Sequence, residues 1–141
     1  MKKITSALFI LISCFSVITR CSDDKTPTGR ESATRLLTNH AWEIQKVTID
    51  DVDRTSVFNR LTLKFTDSHY TTTNGHVVWP ESGEWSFSDN NANTILRGDG
   101  VTLFIDEITD HSLTLSLDWQ ENTFNGRIHS IKGRHTFTFI R

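Results

Sequence analysis

Ser112-Leu113-Thr114-Leu115-Ser116-Leu117-Asp118-Trp119 alternates polar and apolar residues without a break. Successive side chains of a strand point to opposite faces, so Leu113, Leu115, Leu117 and Trp119 share one face and Thr114, Ser116 and Asp118 the other. Asp110-His111 turns the chain into this run. Upstream, Val101, Leu103 and Ile105 alternate in the same way, after turn chemistry at Arg97-Gly98-Asp99-Gly100. Trp85 and Phe87 lead through an Asx-rich turn, Asp89-Asn90-Asn91, into Ile95-Leu96. Leu61, Leu63 and Phe65 alternate with Thr62, Lys64 and Thr66; Asp67-Ser68 turns the chain, and His69 to Thr73 returns with Tyr70 on the apolar side. In the first strand Trp42 and Ile44 keep one parity while Val47 and Ile49 take the other, which predicts a bulge or kink. Thr136-Phe137-Thr138-Phe139 closes the chain.

This spacing predicts about eight short strands with regular turn signals, an all-β antiparallel barrel or sandwich. The expected inward set is Trp42, Ile44, Leu61, Leu63, Phe65, Trp85, Phe87, Leu103, Ile105, Leu113, Leu115, Leu117, Phe137 and Phe139. Eight strands closed up-and-down enclose a space that side chains just fill, or that holds one small ligand. Glu31 to Thr38 is the helical candidate, a short amphipathic segment presenting Leu36 and Leu37.

Composition agrees with a single domain. The chain has 141 residues, 36% of them hydrophobic and 23% charged, with a mean hydropathy of −0.34. Twenty Thr and thirteen Ser favour strands and turns. Two Pro, seven Gly and no repeat exclude collagen-like, solenoid and low-complexity architectures. A pI near 6.3 with no basic stretch argues against nucleic acid as a partner.

The first residues read as an address. Met1-Lys2-Lys3 is a basic start, and Ile4 to Thr19 is apolar apart from Ser, Thr and one Cys. That run is short for a spanning helix, which needs roughly 20 residues, and fits a signal peptide. Cys21-Ser22-Asp23-Asp24-Lys25 resembles the start of a mature bacterial lipoprotein, whose first residue is a lipid-bearing Cys. Its Ser-Asp-Asp is similar to the acidic signal that sends some Gram-negative lipoproteins to the cell surface. Arg20 departs from the small residues usual before the cleaved bond, and Leu11-Ile12-Ser13-Cys14 is a rival site that would leave apolar Phe15 to Ile18 on the mature chain. The expected organisation is therefore a signal peptide over 1–20, lipidated Cys21 and a tether over 21–31, and a barrel domain over 32–141.

Cleavage before Cys21 removes Cys14, so the expected mature domain has no disulfide and holds together by its core. It also leaves 12 basic and 17 acidic residues, a balance of −5. Such a surface does not attract anionic lipid. The lipid itself makes the membrane contact, at about 0.8 kcal/mol per buried CH₂. A polar tether of about ten residues spans roughly 17 Å as a coil and about 35 Å when pulled straight. The expected location is the outer membrane at the cell surface, with the periplasmic face as the alternative.

A family resemblance covers most of the domain. A short helix followed by His40-Ala41-Trp42-Glu43-Ile44 resembles the start of lipocalin-like domains. Thr72-Thr73-Asn74-Gly75 and Val78-Trp79-Pro80-Glu81-Ser82-Gly83-Glu84-Trp85-Ser86-Phe87 are similar to a segment of small lipocalin-like lipoproteins of Gram-negative bacteria, which also end in a strand like His135 to Phe139. The resemblance implies an eight-stranded up-and-down lipocalin-like barrel with a short N-terminal helix. It implies little about function, because that family is largely uncharacterised. Better-known lipocalins have Gly where His40 stands.

Other motifs carry weak chemistry. His40, His69, His76, His111, His129 and His135 lack the spacing of a metal site, and most are expected on turns or polar faces; His129 and His135 are the pair that could approach across a turn. Asp50-Asp51-Val52-Asp53 opens like a calcium loop, but Gly is missing at the sixth position and the twelfth is Leu61. Arg97-Gly98-Asp99 matches the tripeptide that integrins recognise and equally suits a hairpin turn. No Gly-x-Ser-x-Gly elbow or carboxylate dyad is present, so no enzyme, cofactor or metal is expected. Tyr70, Trp79, Trp85 and Trp119 could line a pocket for a small apolar ligand, with the Asp50–Arg60 and Asn74–Gly83 connections at one barrel end around its mouth. They could equally be core and end-plugs of a packed barrel that meets a partner through its loops. Trp42 is expected to plug the other end. The sequence leaves the oligomeric state open.

Overall fold

The computed structural model describes residues 29–120 and 131–141. A helix, α1 (Gly29–Thr38), leads into β1 (Ala41–Ile49), a two-residue β2 (Val52–Asp53) and a 3-10 turn (Thr55–Phe58). Seven strands follow: β3 (Thr62–Phe65), β4 (His69–Thr73), β5 (Ser82–Phe87), β6 (Thr94–Arg97), β7 (Thr102–Ile108), β8 (Ser112–Trp119) and β9 (Gly133–Ile140). Each of β3 to β9 pairs antiparallel with its sequence neighbour, β1 pairs with β3, and β1 also pairs with β9. The wall is thus a closed antiparallel barrel of eight strands, with β2 folded back on the end of β1. Closure leaves no long sheet edge exposed.

The expected bulge in the first strand is present. Across the β1–β9 seam Ile44 faces Phe139 and Lys46 faces Thr138, so β1 carries one extra residue at Gln45. That residue moves Trp42 and Val47 onto the same interior face despite their odd spacing, and both are buried. A second irregularity, in β7 between Ile105 and Glu107, was not foreseen; the only apolar mark of it is the change of parity from Ile105 to Ile108, a single residue before the next turn.

The interior set is nearly as expected. Leu61, Leu63, Phe65, Leu103, Leu113, Leu115, Leu117, Phe137 and Phe139 have essentially no exposure, while Ile44 and Ile105, beside the two irregularities, are only half-buried. Burying one large apolar side chain is worth about 1.5–3 kcal/mol, so this layer is a large contribution to the stability of the barrel. Ser116 departs from its expected outward exposure: Arg134 lies across it from β9, Nη2 to Oγ at 2.9 Å, and covers it.

Up-and-down order sorts the connections between two ends. The turns 66–68, 88–93 and 109–111 lie at the end that α1 covers; the connections 50–61, 74–81 and 98–101 lie at the other, the loop end. At the helical end, Ala33 and Leu37 are buried and the Trp42 indole N–H donates to Leu37 O at 3.1 Å. Trp42 is the expected plug. Arg30 donates to Phe87 O at 3.0 Å and lies over the Phe87 ring. The helix begins at Gly29, inside the stretch expected as tether, because Arg30 has this partner on the barrel; Leu36 is only half-buried and Ala33 takes the inward place beside Leu37.

Candidate functional site

The 74–81 connection enters the barrel rather than running over it. Val78 and Trp79 are each 1% exposed. The Trp79 indole packs edge-on against Tyr70 (6.0 Å between ring centres) and Phe137 (5.8 Å). Its backbone is fixed on three sides. Trp79 N donates to Gly75 O at 3.0 Å, Thr72 Oγ1 donates to Trp79 O (3.2 Å) and Pro80 O (2.9 Å), and Arg97 Nη1 donates to Val78 O at 2.6 Å. Gly75 is required by space: a Cβ there would lie 2.3 Å from Trp79 O and 2.4 Å from Trp79 Cβ.

The 3-10 turn supplies a second lid. Phe58 is buried against Phe137 at 5.1 Å and sits edge-on to His76 and His135. His76 Nε2 donates to Val57 O at 2.8 Å and so links the two lids. The mouth is filled by the chain's own aromatic side chains.

Arg97 lies inside this end with 2% exposure. Its Nε donates to Asp99 Oδ1 at 3.0 Å, its Nη2 pairs with Asp99 Oδ2, and its guanidinium stands over the Trp79 (5.2 Å) and Tyr70 (5.8 Å) rings. Those hydrogen bonds from Arg97 hold the Asp99 carboxyl below the usual carboxylate range, while burial raises the Tyr70 phenol. The Arg97-Gly98-Asp99 tripeptide is therefore closed on itself: its two charged ends pair with each other and Arg97 points inward. Sequence reading had placed Arg97 in a turn. The available signal was parity, since Arg97 is two residues from the inward Ile95.

His135 was likewise expected on a polar face and is fully buried. It is in phase with Phe137 and Phe139, and it stacks on Phe137 at 5.9 Å. Its Nδ1 lies 3.1 Å from Gly133 O, which can only accept, so Nδ1 carries the proton. Burial lowers its pKa, outweighing the Gly133 carbonyl and Asp50, which raise it. His129, its candidate metal partner, lies outside the described residues, as do Cys14 and Cys21.

The four aromatic residues expected around a ligand all belong to the hydrophobic core. Tyr70 and Trp79 are in contact. Trp85 packs between Phe65 and Phe87, and its N–H donates to Thr66 O (2.9 Å) and His69 O (3.1 Å), pinning the β3–β4 turn at the helical end. Trp119, 8% exposed, stands on the rim. There it helps line an open groove of about 710 Å³ with Val77, Asp99, Val101, Phe104 and Asp118.

The acidic start of the 50–61 connection has structural partners. Asp50 Oδ1 accepts Arg134 N–H at 2.9 Å, and Asp50 N–H donates to Arg134 O, clasping the β1–β9 seam. Asp53 Oδ1 accepts Thr55 N–H at 2.9 Å, which lowers the Asp53 pKa. Among the described residues no three His, Cys, Asp or Glu side chains converge as metal ligands.

Fold and site together define a closed eight-stranded antiparallel barrel with one helix at one end and a plugged mouth at the other. Comparisons of the chain with family models, curated proteins and solved structures return no match.

Proposed function

We propose that this chain is a lipid-anchored envelope lipoprotein of lipocalin-like build, whose packed barrel is a scaffold and whose loop end meets a partner. The observation that carries this reading is the filling of the mouth by Phe58, Val78 and Trp79, each at most 3% exposed. A barrel that spends its interior on its own aromatics has its loops and rim left for recognition. Anchoring through Cys21, at the cell surface or on the periplasmic face, rests on the Cys-Ser-Asp-Asp word after an apolar leader.

A second reading keeps a small apolar ligand at the same end. It is favoured by the rim groove beside Trp119, whose volume of about 710 Å³ lies within the roughly 300–1,000 Å³ of small-molecule sites. Titration of the folded protein with a hydrophobic fluorescent probe separates the two. Under the scaffold reading there is no saturable binding and tryptophan emission is unchanged. Saturable binding of one probe per molecule, with quenched tryptophan emission and weakening in Trp119→Ala, would replace it with the ligand reading.

A further inference from the structure

The two connections that close the mouth are held under backbone strain. Six described non-glycine residues have a left-handed φ, and five of them belong to these connections. Asp50 (47°), Asp51 (65°) and Arg60 (62°) bound the 50–61 connection; Asn74 and His76 (55° each) lie in the 74–81 connection. Such conformations disfavour residues with side chains and persist only where surrounding contacts impose them. The 50–61 connection has few contacts of that kind. From Asp51 to Arg60 the one buried side chain is Phe58, and the segment contributes no strand to the eight-stranded wall. Local opening is easiest where so little apolar surface is buried.

Phe58 rests edge-on against His135, 6.3 Å between ring centres, and His135 is fully buried. The imidazole gives its Nδ1 proton to Gly133 O, and its Nε2 has no partner among the described residues. A second proton would sit on Nε2 and create a buried cation whose new N–H lacks an acceptor, which a core tolerates poorly. Leu117, Ile49 and Phe137 beside the ring belong to wall strands, whereas Phe58 can leave without breaking a ladder. We propose that the 50–61 connection is an acid-opened lid: a second proton on His135 releases Phe58 and uncovers Phe137 and Trp79 at the mouth. The surrounding charges suit this. Asp50 is bonded to Arg134 through its N–H and Oδ1, and its carboxylate fills the space a Cβ at Gly133 would need. It therefore stays beside His135 when the chain beyond it moves. Its attraction for a charged imidazole is outweighed by burial while the lid is closed, and remains once water enters. Arg134 turns its guanidinium to Ser116, Asp118 and the Phe104 ring, and the 3-10 turn carries no charge. His76, across Phe58, donates Nε2–H to Val57 O and keeps that proton whether neutral or charged.

Amide hydrogen exchange of the intact chain in detergent, followed by NMR at pH 7.5 and pH 5, tests the proposal. The reporters are the lid amides of Arg54, Val57 and Leu61, bonded to Val47 O, Arg54 O and Phe58 O. After correction for intrinsic rates, their opening should rise about tenfold or more at the lower pH. The β8 amides should stay protected, and the midpoint of lid opening should coincide with the titration of the His135 ring signals. His135→Phe should hold the lid closed at both pH values. Equal lid protection at both pH values overturns the proposal, as does a rise shared with β8, which is global unfolding. A lid response that persists in His135→Phe overturns it too. So does a lid midpoint separate from the His135 titration, a comparison made on the unaltered protein and decisive even where the variant misfolds.

Discussion

At the scale of single residues, the loop end concentrates groups whose burial has a chemical cost. Arg97 is satisfied on every side by Asp99, Val78 O and two aromatic faces. His135 is satisfied on one side only, and its burial makes its protonation costly in the folded state. In the unfolded chain its imidazole takes up a proton below its ordinary value of 6.5, while the folded ring, desolvated beside Phe58 and Phe137, resists protonation. The unfolded state therefore binds more protons below that value, so stability is intact above about pH 6.5 and falls as the pH drops toward the lower folded pKa. Urea midpoints at pH 7.5 and pH 5.5 should differ more for the native protein than for His135→Phe, which has no imidazole to titrate. An equal difference in both proteins would assign the acid sensitivity to other groups.

At the scale of elements, β8 and the 74–81 connection obey different rules. In β8 the alternation read from sequence is the alternation of burial except at Ser116: Leu113, Leu115 and Leu117 are fully buried while Thr114 is half-buried and Asp118 exposed. Leu115→Ala should cost about 2–5 kcal/mol as a large-to-small core change, whereas Thr114→Ala should stay within about 0.5 kcal/mol. Chemical denaturation of both variants checks the pair, and equal losses would contradict the assigned faces. The 74–81 connection has no period to read; its position follows from contacts with Thr72, Arg97 and Phe137. Gly75→Ala drives a methyl into Trp79 and should cost about 1–3 kcal/mol by overpacking. It should also shift tryptophan emission to the red as Trp79 leaves the mouth. Unchanged emission would mean that the connection yields elsewhere and keeps the plug in place.

At the scale of the whole molecule, the described chain begins at α1, on the end opposite the loops. A lipid on Cys21 would attach there through a short tether, leaving the loop end directed away from the bilayer. Cys21→Ser should move the protein from the detergent phase to the aqueous phase, while Cys14→Ser should leave it in detergent. The reverse pattern would transfer the anchor to the rival site. The lipid argument lives wholly on sequence, in residues outside those described, and the barrel argument is independent of it.

Strand number, turn positions, the β1 bulge and most of the inward set were legible in the sequence, because side-chain alternation is local and has a fixed period of two. Ser116 and the β7 irregularity escaped that reading, the first because Arg134 on another strand covers it, the second because the parity change from Ile105 to Ile108 rests on a single residue. Trp79 was singled out correctly as a residue of the loop end, but whether it lines a mouth or fills one depends on where a non-periodic loop folds. Arg97 and His135 were misplaced for a related reason. Their parity pointed inward, yet a charged or polar side chain enters a core only when partners from distant segments meet it there. For Arg97 those partners are Val78 and Trp79, brought from the neighbouring connection, with Asp99 in its own turn; for His135 they are Phe58 and the Phe137 ring. Local periodicity determined the wall of this barrel, and only long-range packing decided what closes its mouth.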